Sequence, residues 1–261
     1  MRTHDKKHIL KNIDKSVNFK DITDDFCCLG IFGPKSRELL NQVFGEKFSK
    51  DDFKFGRGKK IVIKNIELWF QRISYVGELG WEIYIPTEDA KLVYDLITEF
   101  EEKFNLIHAG AHAMDIMRME KGYLHWGHDI SPAENPFEAG LGFAVKMDQS
   151  EDFIGKESLV KNKRAKKKQL VMFTLDNSTP GNPLLLHDEP IYYNNKIVGE
   201  TTSGNYSFNY DKNLTFGYID SKIDLKTIDL KLFEVEVAKI KYKLTVLTQP
   251  LHDPKNLLLK N

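Results

Sequence analysis

Cysteine is almost missing from this chain of 261 residues: Cys27 and Cys28 are the only two, and they are adjacent. Two neighbouring thiols cannot build a disulfide framework or a four-ligand zinc site, so the core must hold without staples. Net charge is also missing, because 38 basic residues face 38 acidic ones. No global field therefore attracts nucleic acid or an anionic membrane. Long apolar runs are absent too, which excludes a membrane-spanning helix of about 18 or more residues. The charged start, MRTHDKKHILKNIDK, does not read as a signal peptide. These absences together point to a reducing, cytoplasmic setting, with partners recognised locally.

What remains is ordinary globular patterning in two styles. FCCLGIF reads as a buried strand, with both cysteines as small core residues, and GPKSRELLNQVFG as a short helix with Pro34 at its first position and Gly45 just past its end. IVIKNIELWFQRIS predicts two strands around Lys64 and Asn65, and WEIYIP predicts a third. Thr87 is placed to cap the following helix, whose buried stripe is Leu92, Val93, Leu96, Ile97 and Phe100. A further helix spans roughly Gly110 to Lys121. Strands interleaved with helices give an α+β sandwich on an antiparallel sheet. After the basic run KNKRAKKKQ, which reads as a boundary, LVMFTL, PIYYNNKIVGETTS, LTFGYID and LKLFEVEVAKIKYKLTVL are all short β runs. They predict a small all-β barrel or sandwich.

Between the two styles lies GYLHWGHDISPAENPFEAGLGFAVK, residues 122–146, with no clear helical or strand period. A structureless stretch of this length is usually functional or disordered, and eight large apolar side chains within it argue against disorder.

Three constellations bear chemistry. In GELGWEIYIP, strand alternation sends Trp81, Ile83 and Ile85 to one face and Glu82 and Tyr84 to the other. A carboxylate beside an aromatic ring can receive an N–H/NH2 edge and pack on a flat heterocycle, although a plain solvated face fits as well. Asp115 and Arg118, three apart on a helix, form either a surface ion pair or a fork for an acidic ligand group. His108, His112, His125 and His128 lack an HExxH pattern, so no metal site is expected.

The ordered motifs SYVGELGWEIYIP, AMDIMRMEKGYLHWGHDISPAENPFEAGLGFAVK, DFIGKESL and TSGNYSFNYDKNLTFGYID resemble the glycine-cleavage T-protein (aminomethyltransferase) superfamily. The resemblance is strongest to the folate-binding C-terminal portion of dimethylglycine and sarcosine dehydrogenases. It implies an N-terminal helical remnant of a folate-cleft domain over 1–24 and a ferredoxin-like middle domain over 25–121. A crossover lining the cleft over 122–165 and a C-terminal β-barrel over 166–261 would follow. It further implies tetrahydrofolate as cofactor and a small methylamine-type one-carbon donor. Glu82 is then the first choice for the pterin edge, with Tyr84 beside it and Glu78 as the second carboxylate. Arg118 would reach the folate or support the loop, and Tyr123 and Trp126 are further lining residues.

The family's catalytic aspartate belongs to an upstream segment that has no counterpart here, so no catalytic residue is assigned. FAD is expected only on a partner oxidoreductase or a further domain. The alternative is a non-catalytic folate-binding or assembly module that needs a separate upstream segment.

Overall fold

The computed structural model describes residues 1–162 and 166–261. The centre of the basic run, 163–165, and with it the expected boundary at 165/166, lies outside the described residues. The chain forms two compact units. One comprises Met1–Ser74, Glu78–His108 and Leu258–Asn261, and the other Tyr75–Gly77 and Ala109–Leu257.

The first unit begins with helix α1 (Arg2–Asn12), which buries no residue. Strand β1 (Phe26–Phe32) leads into α2 (Ser36–Phe44), followed by β2 (Gly58–Ile63), β3 (Ile66–Gln71) and β4 (Gly80–Pro86). Helix α3 (Ala90–Thr98) and the single turn α4 (Glu101–Phe104) complete it. The sheet order is β1-β4-β3-β2, antiparallel throughout. Lys64 and Asn65 make the β2–β3 turn at φ 48° and 67°, the double left-handed geometry of a tight hairpin. Trp81, Ile83 and Ile85 are fully buried with Leu40, Leu68, Phe70 and Val93. Each such side chain contributes about 1.5–3 kcal/mol of burial.

Several local expectations are corrected. β1 pairs only with β4, so it is an edge strand, and Cys28 is exposed and Cys27 half-buried rather than both being core. A turn closed by Ser36 N–H to the Gly33 carbonyl delays α2 until two residues after Pro34. Gly45 does end that helix, at φ 85°. The Thr87 hydroxyl donates to the Asp24 carbonyl, and a 3-10 turn over Thr87–Asp89 precedes α3. Leu92 is 40% exposed, since the α3 stripe narrows to Val93 and Ile97.

The second unit holds α5 (Ala111–Glu120), α6 (Lys156–Asn162), β5 (Lys168–Leu175), β6 (Pro190–Tyr193), β7 (Lys196–Ser207), β8 (Lys212–Asp220), β9 (Phe233–Val237) and β10 (Ile240–Leu247). The six strands close into an antiparallel barrel in the order β10-β5-β8-β7-β6-β9. Phe173, Ile191, Phe233 and Val235 fill it. Gly199 lets β7 approach β8, because a Cβ there would sit 1.8 Å from the Tyr218 carbonyl oxygen. Met119 of α5 packs on Leu214 and Phe216 from outside the barrel interior. The α+β expectation, a sandwich followed by a small barrel, is met. Among the described residues no helix is long and apolar enough to cross a membrane.

Candidate functional site

The first unit carries the carboxylate and ring expected on β4. Tyr84 donates its hydroxyl to Glu82 Oε2 at 2.7 Å, so the two side chains stand together on the face opposite Trp81 and Ile83. Burial first, and then this bond to a carboxylate, pushes the Tyr84 phenol well above its ordinary range. The phenol therefore stays protonated and remains a donor. No described residue bonds to Glu82 Oε1. Trp69 and Gln71 of β3 stand opposite Tyr84 and Glu82 in the register, which surrounds the carboxylate with flat groups and an amide. Glu78 lies in the bend just ahead of β4.

In the second unit the irregular segment 122–146 is ordered by buried charge. Arg118 is 1% exposed, so its pairing with Asp115 is no surface bridge. All its donors are engaged: Nε and Nη2 on Asp115 Oδ1, Nη1 on Asp129 Oδ2 (2.5 Å) and the Tyr123 carbonyl, and Nη2 on Ser203 Oγ. Its guanidinium also lies 5.5 Å from the Phe216 ring centroid. Asp129, fully buried, receives the His125 backbone N–H at 2.8 Å and the hydroxyls of Thr202 (2.6 Å) and Ser203 (2.7 Å). Four donors on one carboxylate, with the Tyr218 hydroxyl on its main-chain oxygen (2.9 Å), fasten the loop to β7 and β8. Further along, Glu134 binds Ser131 and Lys168, and Glu138 takes the Lys167 backbone N–H.

A cavity of about 470 Å³ opens beside this network, lined by Tyr75, His112, His125, His128, Leu185 and His187 among others. The His125 and His128 rings are 4.6 Å apart, and His187 lies 6.4 Å from His128. Among the described residues no group of three or more His, Cys, Asp or Glu is placed to hold a metal ion. Tyr123 stacks on Tyr75 at 6.3 Å, and burial, then Asp253, raises its phenol pKa. Trp126 is 44% exposed at the loop's surface.

Two family models match the chain: the GCVT N-terminal domain over residues 1–149 and the glycine cleavage T-protein C-terminal barrel domain over 168–253. The chain belongs to the glycine-cleavage T-protein family. This T-protein chain is 38% identical over 239 residues to mitochondrial dimethylglycine dehydrogenase of Homo sapiens, covering 90% of the chain and 27% of that relative. It is 34% identical over 242 residues to the formaldehyde-forming 4-methylaminobutanoate oxidase of Paenarthrobacter nicotinovorans, covering 92% and 28%. An aminomethyltransferase of Caldanaerobacter subterraneus is 35% identical over 207 residues, with 79% and 54% covered. The chain thus spans about 27% of the length of its dehydrogenase relatives. Its fold matches the glycine cleavage system aminomethyltransferase T of Bartonella henselae with a TM-score of 0.74 at 20% identity, over 88% of this chain and 60% of that one.

Sequence reasoning placed Glu82 and Tyr84 side by side but missed Asp129. Its only signal was an aspartate inside a glycine-punctuated apolar loop, where an unpaired charge would be costly.

Proposed function

We propose that this T-protein chain binds tetrahydrofolate and serves one-carbon transfer from a small methylamine-type donor, as one segment of dimethylglycine or sarcosine dehydrogenase chemistry. The observation that carries the proposal is the Glu82–Tyr84 pair on the sheet face of a T-protein-family chain. The 2-amino and ring N–H of a pterin are parallel donors, which a carboxylate accepts in bidentate fashion. Glu82 fits that task because Oε1 has open lone pairs and Oε2 is fixed by Tyr84. Trp69 and Tyr84 provide flat surfaces for the heterocycle. Arg118 acts indirectly: it holds the loop 125–130 through Asp129, and that loop lines the cavity beside it. When bound, tetrahydrofolate supplies the nucleophilic nitrogen that captures the one-carbon unit. The chain's residues supply orientation, which alone removes several kcal/mol from such a barrier. FAD, in this reading, sits on a partner oxidoreductase or on a further part of a longer protein.

Calorimetric titration with tetrahydrofolate under reducing, anaerobic conditions tests this. Binding is expected for the native chain and weakened more than about tenfold in Glu82→Gln, since charge-assisted hydrogen bonds are worth about 1.5–3 kcal/mol. Equal affinities for native and Glu82→Gln chains would remove Glu82 from the clamp. Loss of affinity in Glu78→Gln alone would assign the role to that carboxylate. Binding without transfer in the presence of an amine-oxidising partner would favour a non-catalytic folate-binding module.

A further inference from the structure

On the first unit's sheet, the face turned away from the core sorts into rows that run across the strands. Cys28, Tyr84 and Trp69 share one row, Gly30, Glu82, Gln71 and Gly58 the next, and Phe32 and Gly80 the third. Side chains directly opposite in an antiparallel pair leave the sheet on the same side, with Cβ atoms about 4.5–5.5 Å apart. The middle row is therefore a carboxylate beside an amide, with a glycine at each end.

Both glycines admit a ring. A Cβ at Gly58 would fall 2.3 Å from Trp69 Cζ2, and one at Gly30 would fall 2.5 Å from Phe32 Cε2, so each ring leans over one end of the polar row. Tyr84 and Trp69 border that row on one side and Phe32 on the other. Glu82 and Gln71 are both half-buried between these flat groups. Among the described residues, neither the Gln71 side-chain amide nor Glu82 Oε1 is hydrogen-bonded.

The two polar groups differ in what they can receive. An ionised carboxylate only accepts, so a ring carbonyl oxygen set against it is repelled, whereas an amide can donate. The neighbour also orients that amide: the Glu82 charge repels the Gln71 oxygen and attracts its NH2, which turns the donor end toward the centre of the row. A heterocycle edge with two N–H donors followed by a carbonyl oxygen matches this order of groups.

We propose that Gln71 is a specificity-determining residue of the pterin site, its amide N–H donating to the 4-oxo group while Glu82 accepts from the ring N–H and the 2-amino group. The inference rests on the folate reading above and adds the choice of a 2-amino-4-oxo heterocycle over one whose 4-position cannot accept. A 4-amino substituent would set donor against donor.

Calorimetric titration of the full chain with tetrahydrofolate and with its 4-thio analogue, under reducing, anaerobic conditions, tests this. The thione keeps both N–H donors and weakens only the acceptor. The native chain should bind the oxo form about three- to tenfold more tightly, the range of one neutral hydrogen bond. Gln71→Met, similar in length but without a donor, should bind both forms alike, and comparing the two ratios cancels the larger size of sulfur. If Gln71→Met keeps the full oxo preference while Glu82→Gln still weakens both ligands, Gln71 is not the discriminator and the folate reading stands. A native chain without oxo preference overturns the proposal in the same way. If the native chain binds neither ligand, or Glu82→Gln leaves both affinities unchanged, the folate reading fails and this inference with it. Should Gln71→Met fail to fold, Gln71→Asn, whose amide is withdrawn by one methylene, replaces it with the same expected loss of preference.

Discussion

Replacing Asp129 by Asn removes one charge from the most buried ion pair of the second unit and changes nothing in size. Asp129 is fully buried, Arg118 is 1% exposed, and the carboxylate takes four donors from three places in the chain. The less harmful amide orientation turns its NH2 toward the Thr202 and Ser203 hydroxyls, which can rotate to accept. Even so, Arg118 keeps only Asp115, whose side chain is 32% exposed, as an anionic partner. Breaking a buried pair on one side typically costs about 3–5 kcal/mol. At about 2–4 °C per kcal/mol for a unit of this size, scanning calorimetry should record a fall in Tm of about 6–20 °C. Asp115→Asn is the control, because Asp115 is 32% exposed and its loss leaves Arg118 paired with the fully buried Asp129. If Asp129→Asn lowers Tm no more than Asp115→Asn does, the pair is not an isolated buried charge, and its role in ordering the loop is refuted.

Other outcomes follow from named contacts. Gly199→Ala should destabilise the barrel by at least about 2 kcal/mol, since a methyl there meets the Tyr218 carbonyl at 1.8 Å; an unchanged urea midpoint would disprove the close approach. Burial pushes Glu134 and Glu138 up, but bonds from Lys168 and Ser131, and from backbone N–H groups at Lys167 and Asn135, outweigh it and hold both below their ordinary range. Because the folded pKa is depressed, this stabilisation is full above the unfolded value and is lost as pH falls below about 4. A Glu134→Gln/Glu138→Gln chain should therefore show a flatter Tm profile between neutral and acidic pH, and a profile parallel to the native one would contradict it. Tyr84→Phe should weaken tetrahydrofolate binding less than Glu82→Gln, because it frees the carboxylate to rotate without removing its charge; the reverse order in calorimetry would reassign the clamp.

Much of the architecture was legible because it is local. The Lys64–Asn65 hairpin, the alternation of Trp81 to Ile85 and the Val93/Ile97 stripe each depend on neighbours a few residues away. The misses share the opposite character. Whether FCCLGIF is an inner or an edge strand depends on which strand lies beside it, so Cys28 could not be recognised as exposed. Asp129 has partners 11 and 74 residues distant, and no periodicity encodes them.

The long reach of Asp129 also bears on how the second unit matures during synthesis. Arg118 and Asp129 emerge together, but Thr202 and Ser203, which complete the carboxylate's shell, follow 73 and 74 residues after Asp129. Until β7 arrives, the pair stands in water, where such an attraction is worth little. The segment 122–146 therefore has no reason to settle while the N-terminal strands and helices are already folding as a unit. The shell around Asp129 is complete only once Thr202 and Ser203 of β7 are in place.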